Sequence, residues 1–157
     1  MSHPAPTSYP GVMALFRKRP HREVSFDGSW MVLTGTHDEK PLIARFDTSS
    51  EQLKGRYSIQ VGVAVPLNDP TPEGFPTPEE DRQLGRIETK VVSKAADESV
   101  LVGVITTGGM REFVLYTNSS TWIEAYHHAL EEEITTHEVQ VMAKTDPNWS
   151  TYKSFVS

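Results

Sequence analysis

Apolar and polar residues alternate from Tyr57 to Val65, with every second position apolar. That period of two is typical of a β-strand with one buried face. The spacing then changes, because Leu84, Ile87 and Val91 recur at the steps of three and four that are typical of an amphipathic helix. The pattern therefore predicts a strand followed by a helix.

The start of this helix is marked by Thr77-Pro78-Glu79-Glu80. Threonine is a favoured N-cap, proline is favoured at the first helical position, and Glu80 completes a capping box. We therefore expect the helix to begin directly after Thr77.

Two further strands, a second helix and a last strand are predicted towards the C-terminus. If Gly108-Gly109 forms a two-residue turn, it fixes the register of the two strands that it joins. The cross-strand pairs are then Thr107 with Met110, Val104 with Phe113, and Val102 with Leu115. The second helix is expected near residues 120–133, and the last strand runs through Val139 and Val141.

The resulting order of strand, helix, strand, strand, helix, strand over residues 57–143 is the ferredoxin-like βαββαβ pattern. We therefore predict an α+β fold with a four-stranded antiparallel sheet and two helices on one face. Residues 30–35 and 42–46 predict an N-terminal β-hairpin that extends or covers this sheet, and Asp146-Pro147 precedes a short C-terminal helix. Residues 1–22 are expected to form a disordered or loosely ordered basic tail before a single domain at 23–157.

The predicted strands place apolar residues on both faces of the sheet. The helices are expected on the face of Val61, Val102, Val104, Phe113, Leu115 and Val141. The opposite face would carry Leu101, Ile105, Val114 and Tyr116, and it is too apolar to lie bare in water. The N-terminal hairpin, the C-terminal segment or a partner could cover it, so these four residues are the candidate binding residues.

Charge argues against a nucleic-acid partner. The net charge is −6, and four of the 15 basic side chains (Arg17, Lys18, Arg19 and Arg22) precede the first acidic one. The rest of the chain contains the other 11 basic side chains and all 21 acidic ones. A domain that acidic repels phosphate backbones. The stacking aromatics and basic residues of an RNA-recognition module are also missing around Phe113-Val114-Leu115-Tyr116.

Few residue patterns suggest chemistry. Glu124, His127 and His128 are the best candidate metal ligands because they share part of a predicted helix, but the histidines are expected mostly on its solvated face. The chain has no cysteine and no Gly-x-Ser-x-Gly motif, and Gly108-Gly109 joins two strands rather than opening a helix. We therefore predict neither a catalytic residue nor a cofactor.

The apolar stretches are too short for a membrane-spanning helix, and no secretory signal is visible. The absence of cysteine fits a reducing compartment. We therefore expect a cytoplasmic protein that does not bind a membrane.

Several segments together resemble a known family. They are Gly74-Phe75-Pro76-Thr77-Pro78-Glu79-Glu80, residues 102–107 and 111–117, the terminal Trp149, Tyr152 and Phe155, and upstream Trp30 and residues 40–46. Over residues 28–156 the chain resembles the domain of unknown function 695 family. The resemblance implies a bacterial protein without an assigned activity and offers no catalytic residues. Some members look similar in architecture to bacterial inhibitors of ribonuclease E, which act by binding that enzyme.

These observations lead to two hypotheses of function. The first is a non-catalytic regulatory or adaptor protein that acts through protein–protein contact, with a homodimer compatible with the same surfaces. The alternative is an enzyme or small-molecule-binding protein with a pocket between the N-terminal hairpin and the sheet. Sequence spacing cannot show whether distant residues meet in such a pocket, so both hypotheses stay open.

Overall fold

Within residues 21–156, seven strands form a single antiparallel sheet, and helices pack on both of its faces. The computed structural model describes residues 21–156, and the side chains of residues 23–156. The strands are β1 (His21–Asp27), β2 (Trp30–His37), β3 (Lys40–Asp47), β4 (Ile59–Pro66), β5 (Ser99–Thr107), β6 (Met110–Thr117) and β7 (Gln140–Thr145). The helices are α1 (Pro78–Lys94), α2 (Ile123–Glu133) and α3 (Ser150–Val156), and a 3₁₀ helix spans Thr48–Leu53.

The protein is an α+β protein, as predicted, but its sheet is larger than the predicted one. Within the described residues the strand order is β1-β2-β3-β5-β6-β4-β7, and every neighbouring pair is antiparallel. Of the two predicted roles of the N-terminal hairpin, it extends the sheet rather than covering it, because β3 pairs directly with β5. Residues 1–20 of the predicted tail lie outside the described residues, and residues 21 and 22 begin β1.

Local sequence explains the turns and the first long helix. Asp38 and Glu39 both have positive φ (54° and 65°) in the turn between β2 and β3, as type I′ hairpins require. Gly108 and Gly109 do the same between β5 and β6. The side chain of Thr77 accepts a hydrogen bond from the backbone N–H of Glu80, so Thr77 is confirmed as the N-cap of α1. The predicted capping box is wrong in its second half, because the Glu80 carboxylate accepts from the N–H groups of Asn68 and Asp69 instead.

Helices α1 and α2 pack on one face of the sheet, which we call the α1/α2 face. Leu84, Ile87 and Val91 of α1 and Tyr126 and Leu130 of α2 are buried there. They pack against Val61, Val63, Val65, Val104, Phe113 and Leu115 of the central strands. The predicted face is therefore confirmed for most residues of the central strands.

A β-bulge in β5 makes the prediction wrong for Leu101 and Val102. Leu101 pairs with Leu115 and Gly103 pairs with Val114, so Val102 is an extra residue on one side of the ladder. Because the bulge shifts the alternation, Leu101 packs on the α1/α2 face and Val102 is buried on the opposite face.

The opposite face, which we call the α3 face, is covered by the C-terminal segment. The Trp149 ring stacks on Tyr116 with centroids 4.1 Å apart, and Phe155 stacks on Phe46 at 4.5 Å. The indole N–H of Trp149 also donates to the carbonyl of Tyr57 at 2.6 Å. Of the three coverings that the sequence left open, the C-terminal segment is the one observed.

Asp146 ties this covering helix to the sheet. Its Oδ1 accepts from the backbone N–H of Ser150 at 3.0 Å, and its Oδ2 accepts from the Tyr116 hydroxyl at 2.8 Å. One carboxylate therefore caps α3 and fixes its position over the central strand β6.

Candidate functional site

The four candidate binding residues do not form an exposed surface. Ile105, Val114 and Tyr116 are buried on the α3 face, under the aromatic side chains of the C-terminal segment. Leu101 is half-buried on the other face. The expectation that these residues share an open face is therefore wrong, because α3 closes that face and the bulge removes Leu101 from it.

The candidate metal ligands also lie differently from the prediction. His127 is buried, and its Nε2 lies 3.1 Å from the carbonyl oxygen of Val139. Its expected position on the solvated face is wrong, because α2 packs beside β7 and turns residue 127 towards that strand. Glu124 is exposed and His128 half-buried. Among residues 21–156, no group of three or more His, Cys, Asp or Glu side chains could hold a metal ion.

A groove runs beside α1, where the sheet extends beyond the helices. We call it the α1 groove. It has a volume of about 240 Å³. Its lining comes from Val32, Ile43, Ala44 and Arg45 of the hairpin strands, Asp81, Gly85 and Glu88 of α1, and Val104, Thr106 and Arg111 of the central strands. Ile43 is 41% exposed, which shows that helices leave this part of the sheet uncovered.

Two ion pairs connect the sheet to α1 across this groove. Arg45 pairs with Glu88, and Nη1 of Arg111 lies 3.2 Å from Oδ1 of Asp81. Nε of Arg111 also donates to the hydroxyl of Thr106 at 2.9 Å. Burial lowers the pKa of the Arg111 guanidinium, and the nearby Asp81 carboxylate opposes that effect. The positive charges therefore lie on the sheet and the negative charges on the helix.

Gly85 lies in the interior of α1, between the two acidic residues of the groove. A Cβ added at Gly85 would meet no heavy atom within 4 Å, so packing does not require glycine there. A glycine inside a helix costs about 0.5–1 kcal/mol relative to alanine. Its effect here is to keep the helix wall of the groove free of a side chain.

Replacing Gly85 with alanine is therefore expected to stabilise the protein by about 0.5–1 kcal/mol, because alanine loses less backbone entropy on folding. Urea unfolding of the wild type and Gly85→Ala would measure the difference. A destabilised variant would show that the methyl group meets an obstacle and that the groove is narrower than described.

Glu112 is buried in the centre of the sheet without a hydrogen-bond partner. It is 0% exposed, and within the described residues neither carboxylate oxygen has a partner. Its neighbours across the ladder are Ala64 and Ile105. Burial raises the pKa of Glu112 to about 8, although the charge of Lys144 acts to lower it. This carboxyl group is therefore held largely in its neutral form at neutral pH.

Glu80 is also buried, but unlike Glu112 it has several hydrogen-bond partners. It accepts from the backbone N–H groups of Asn68 (2.6 Å) and Asp69 (3.1 Å), and its Oε2 lies 2.6 Å from Nε2 of His137. Burial acts to raise the pKa of Glu80, but these hydrogen bonds outweigh it and keep that pKa below its usual range. The hydroxyl of Thr136 lies 2.9 Å from the other ring nitrogen of His137. The Glu80 carboxylate therefore holds two loops, one at residues 68–69 and one at 136–137, against the start of α1.

Strand β1 forms one edge of the sheet. Residues 23–29 are all exposed, and Val24 (45%) and Phe26 (65%) are large apolar side chains in contact with water. Both lie on the α3 face, because they pair with buried Leu33 and Met31. Glu23 and Asp27 pair with Thr34 and Trp30 and lie on the other face, so the edge presents an apolar and an acidic side.

Sequence reasoning placed a hypothetical pocket beside the N-terminal hairpin, but it identified neither the residues of the α1 groove nor the exposed edge. The groove combines residues from five elements, which no local spacing reveals. One local signal is Gly85, an interior glycine in an otherwise well-formed amphipathic helix.

Comparisons with known proteins identify a family. No curated protein and no solved structure matches the chain. None of the helices within residues 21–156 is long and apolar enough to cross a membrane. A family model, described as Family of unknown function (DUF695), matches residues 28–157. Because that match covers most of the chain, the protein belongs to the DUF695 family.

Proposed function

We propose that the protein is a non-catalytic regulatory or adaptor protein that binds an extended segment of a partner protein at β1. The observation that carries this proposal is the exposed edge, with Val24 and Phe26 in contact with water. An edge strand offers unpaired backbone N–H and C=O groups, and partner segments commonly add to such edges as a further strand. The contact surface is thus the exposed sheet edge rather than the part of the α3 face that the C-terminal segment covers.

The two sides of β1 indicate the chemistry of the partner segment. A strand added to β1 would place every second side chain beside Val24 and Phe26, and the others beside Glu23 and Asp27. The chain as a whole has a net charge of −6. A segment that alternates apolar and basic residues fits this edge, because opposite charges across neighbouring strands are favourable.

A peptide of alternating valine and lysine is expected to bind the wild type and to bind the double variant Val24→Lys/Phe26→Lys at least about tenfold more weakly. The two lysines remove the apolar contact and repel the basic peptide. Fluorescence anisotropy of the labelled peptide would measure both affinities. Because Val24 and Phe26 are exposed, the variant is expected to fold normally.

Val92→Lys is the matched control, since Val92 is also an exposed apolar side chain (50%) but belongs to α1 rather than to the edge strand. Equal peptide affinity of the wild type and the double variant would contradict the proposal. Light scattering adds a second test: a wild-type dimer that the double variant abolishes would show that a second copy occupies the edge instead.

We also infer that β4 to β7 with α1 and α2 form a ferredoxin-like unit that the N-terminal strands extend. The order β5-β6-β4-β7, with both helices packed on the same face, supports this inference. A cytoplasmic location remains our proposal, supported by the absence of cysteine. A bacterial source is what the resemblance to the family implies.

A second candidate function is small-molecule binding in the α1 groove, between the sheet, including its hairpin strands, and α1. The observation in its favour is the α1 groove, where Arg45, Arg111, Asp81 and Glu88 converge. Concave sites with a few convergent polar groups are the usual places for small ligands.

A further inference from the structure

We propose that the α1 groove binds a small zwitterion of the α-amino-acid type, with a carboxylate, an ammonium group and an apolar side chain. This inference rests on the second candidate function and adds the class of ligand. It concerns a surface separate from β1, so the two proposals can fail independently.

The separation of charge across the groove matches both ends of such a molecule. Arg45 and Arg111 project from the sheet, and Asp81 and Glu88 project from α1. A guanidinium group has five N–H donors, and the contacts of Arg111 with Thr106 and Asp81 use only some of them. A ligand carboxylate can therefore bind on the sheet side while its ammonium group binds the helix carboxylates.

The balance of charge favours a zwitterion over a singly charged ligand. The groove offers two cationic and two anionic side chains, which already neutralise one another. An anion alone would compete with Asp81 and Glu88 for the arginines, and a cation alone would compete with the arginines for the carboxylates. The carboxylate of a zwitterion can pair with an arginine while its ammonium group pairs with the carboxylate that the arginine has released. No charged side chain is then left without a partner.

Size and surface explain the apolar part of the ligand. The groove volume of about 240 Å³ is sufficient for a molecule as small as an amino acid. Val32, Ile43 and Val104 provide an apolar floor beside the charged groups. Gly85 leaves the helix wall open at the level between the two ion pairs, where a larger side chain would occupy the groove.

Leucine and two of its analogues test the class of ligand directly. 4-Methylpentanoate lacks only the ammonium group, and 3-methylbutylamine lacks only the carboxylate. Calorimetric titration of the full chain is expected to show leucine binding, with each analogue about 10- to 100-fold weaker, because each analogue loses its charge-assisted hydrogen bonds.

Substitutions of glycine test the place of binding. Gly85→Leu is expected to fill the groove and abolish leucine binding. Gly55→Leu is the matched control and is expected to keep it, since a Cβ at Gly55 also meets nothing within 4 Å but lies outside the groove. Thermal unfolding of both variants shows that each is folded.

Three outcomes would overturn the proposal. Leucine binding that survives Gly85→Leu would place the site elsewhere. If an analogue binds the wild type as tightly as leucine does, the ligand need not be a zwitterion and that part of the proposal is refuted. Loss of the analogue's binding in Gly85→Leu would still support small-molecule binding in the groove. If neither leucine nor either analogue binds, both the ligand class and the second candidate function fail.

Discussion

Replacing Gly103 with alanine is expected to lower the free energy of unfolding by about 3 kcal/mol or more. A Cβ at this position would lie 2.3 Å from Cε2 of Phe46 and 2.4 Å from Cδ2, far inside van der Waals contact. The Phe46 ring cannot easily move away, because it is fully buried and stacks on Phe155 at 4.5 Å. The added methyl group must therefore displace either the β5 backbone or the stacked pair of rings.

Urea unfolding of Gly103→Ala would measure this loss, with Gly85→Ala as a control in which the same methyl group meets open space. A double-mutant cycle with Phe46→Leu identifies the cause, because the smaller side chain should make Gly103→Ala less costly. Equal costs of Gly103→Ala in the wild-type and Phe46→Leu backgrounds would show that the clash with Phe46 is not the reason.

Gly103 also shows how far the sequence could be interpreted. A glycine within a strand predicts close approach of a neighbouring group. The structure confirms that expectation. The sequence could not show that this group is the Phe46 ring, because this contact depends on the pairing of β3 with β5. Local patterns predict strands well, but they contain little information about which strands meet.

The same limit explains the errors on the two faces of the sheet. Alternation assigns residues to faces only while the ladder is regular, and the extra residue Val102 breaks it. The apolar Leu101 and Val102 fit either face, so their composition gives no sign of the bulge. Strand β1 was missed for a related reason, since an exposed edge strand has no buried face to produce a clear apolar pattern.

The candidate sites were less predictable than the fold. Trp149, Tyr152 and Phe155 could be predicted to pack against the sheet, because their regular spacing gives a short helix one aromatic side. The groove beside α1 could not, since its arginines come from β3 and β6 and its acidic residues from α1. Arg111 and Glu112 are two charged residues within an otherwise apolar strand. Their position is a sequence signal that each needs an ion-pair partner or a shifted pKa, but it does not show which.

Glu112→Gln is expected to make the protein more stable than the wild type at alkaline pH and similar to it at acidic pH. Burial raises the pKa of Glu112 from 4.5 to about 8, so the folded protein holds this proton over a range in which the unfolded chain has lost it. Wild-type stability should therefore be unaffected by this group below pH 4.5 and should fall as the pH rises towards 8. With one pKa unit equal to 1.36 kcal/mol, the upper limit of this loss is about 4–5 kcal/mol.

Urea unfolding of the wild type and Glu112→Gln between pH 5 and pH 9 would measure this dependence. Two further variants separate the carboxyl group from other titrating groups. Glu112→Leu, like Glu112→Gln, has no titrating carboxyl group at this position. The free energies of unfolding of the two variants should therefore vary with pH in parallel. Lys144→Met removes the charge that lowers the Glu112 pKa, so its stability should fall more steeply with pH than that of the wild type. If the wild type and Glu112→Gln differ by the same amount at every pH, Glu112 is not a buried acid whose ionisation opposes folding.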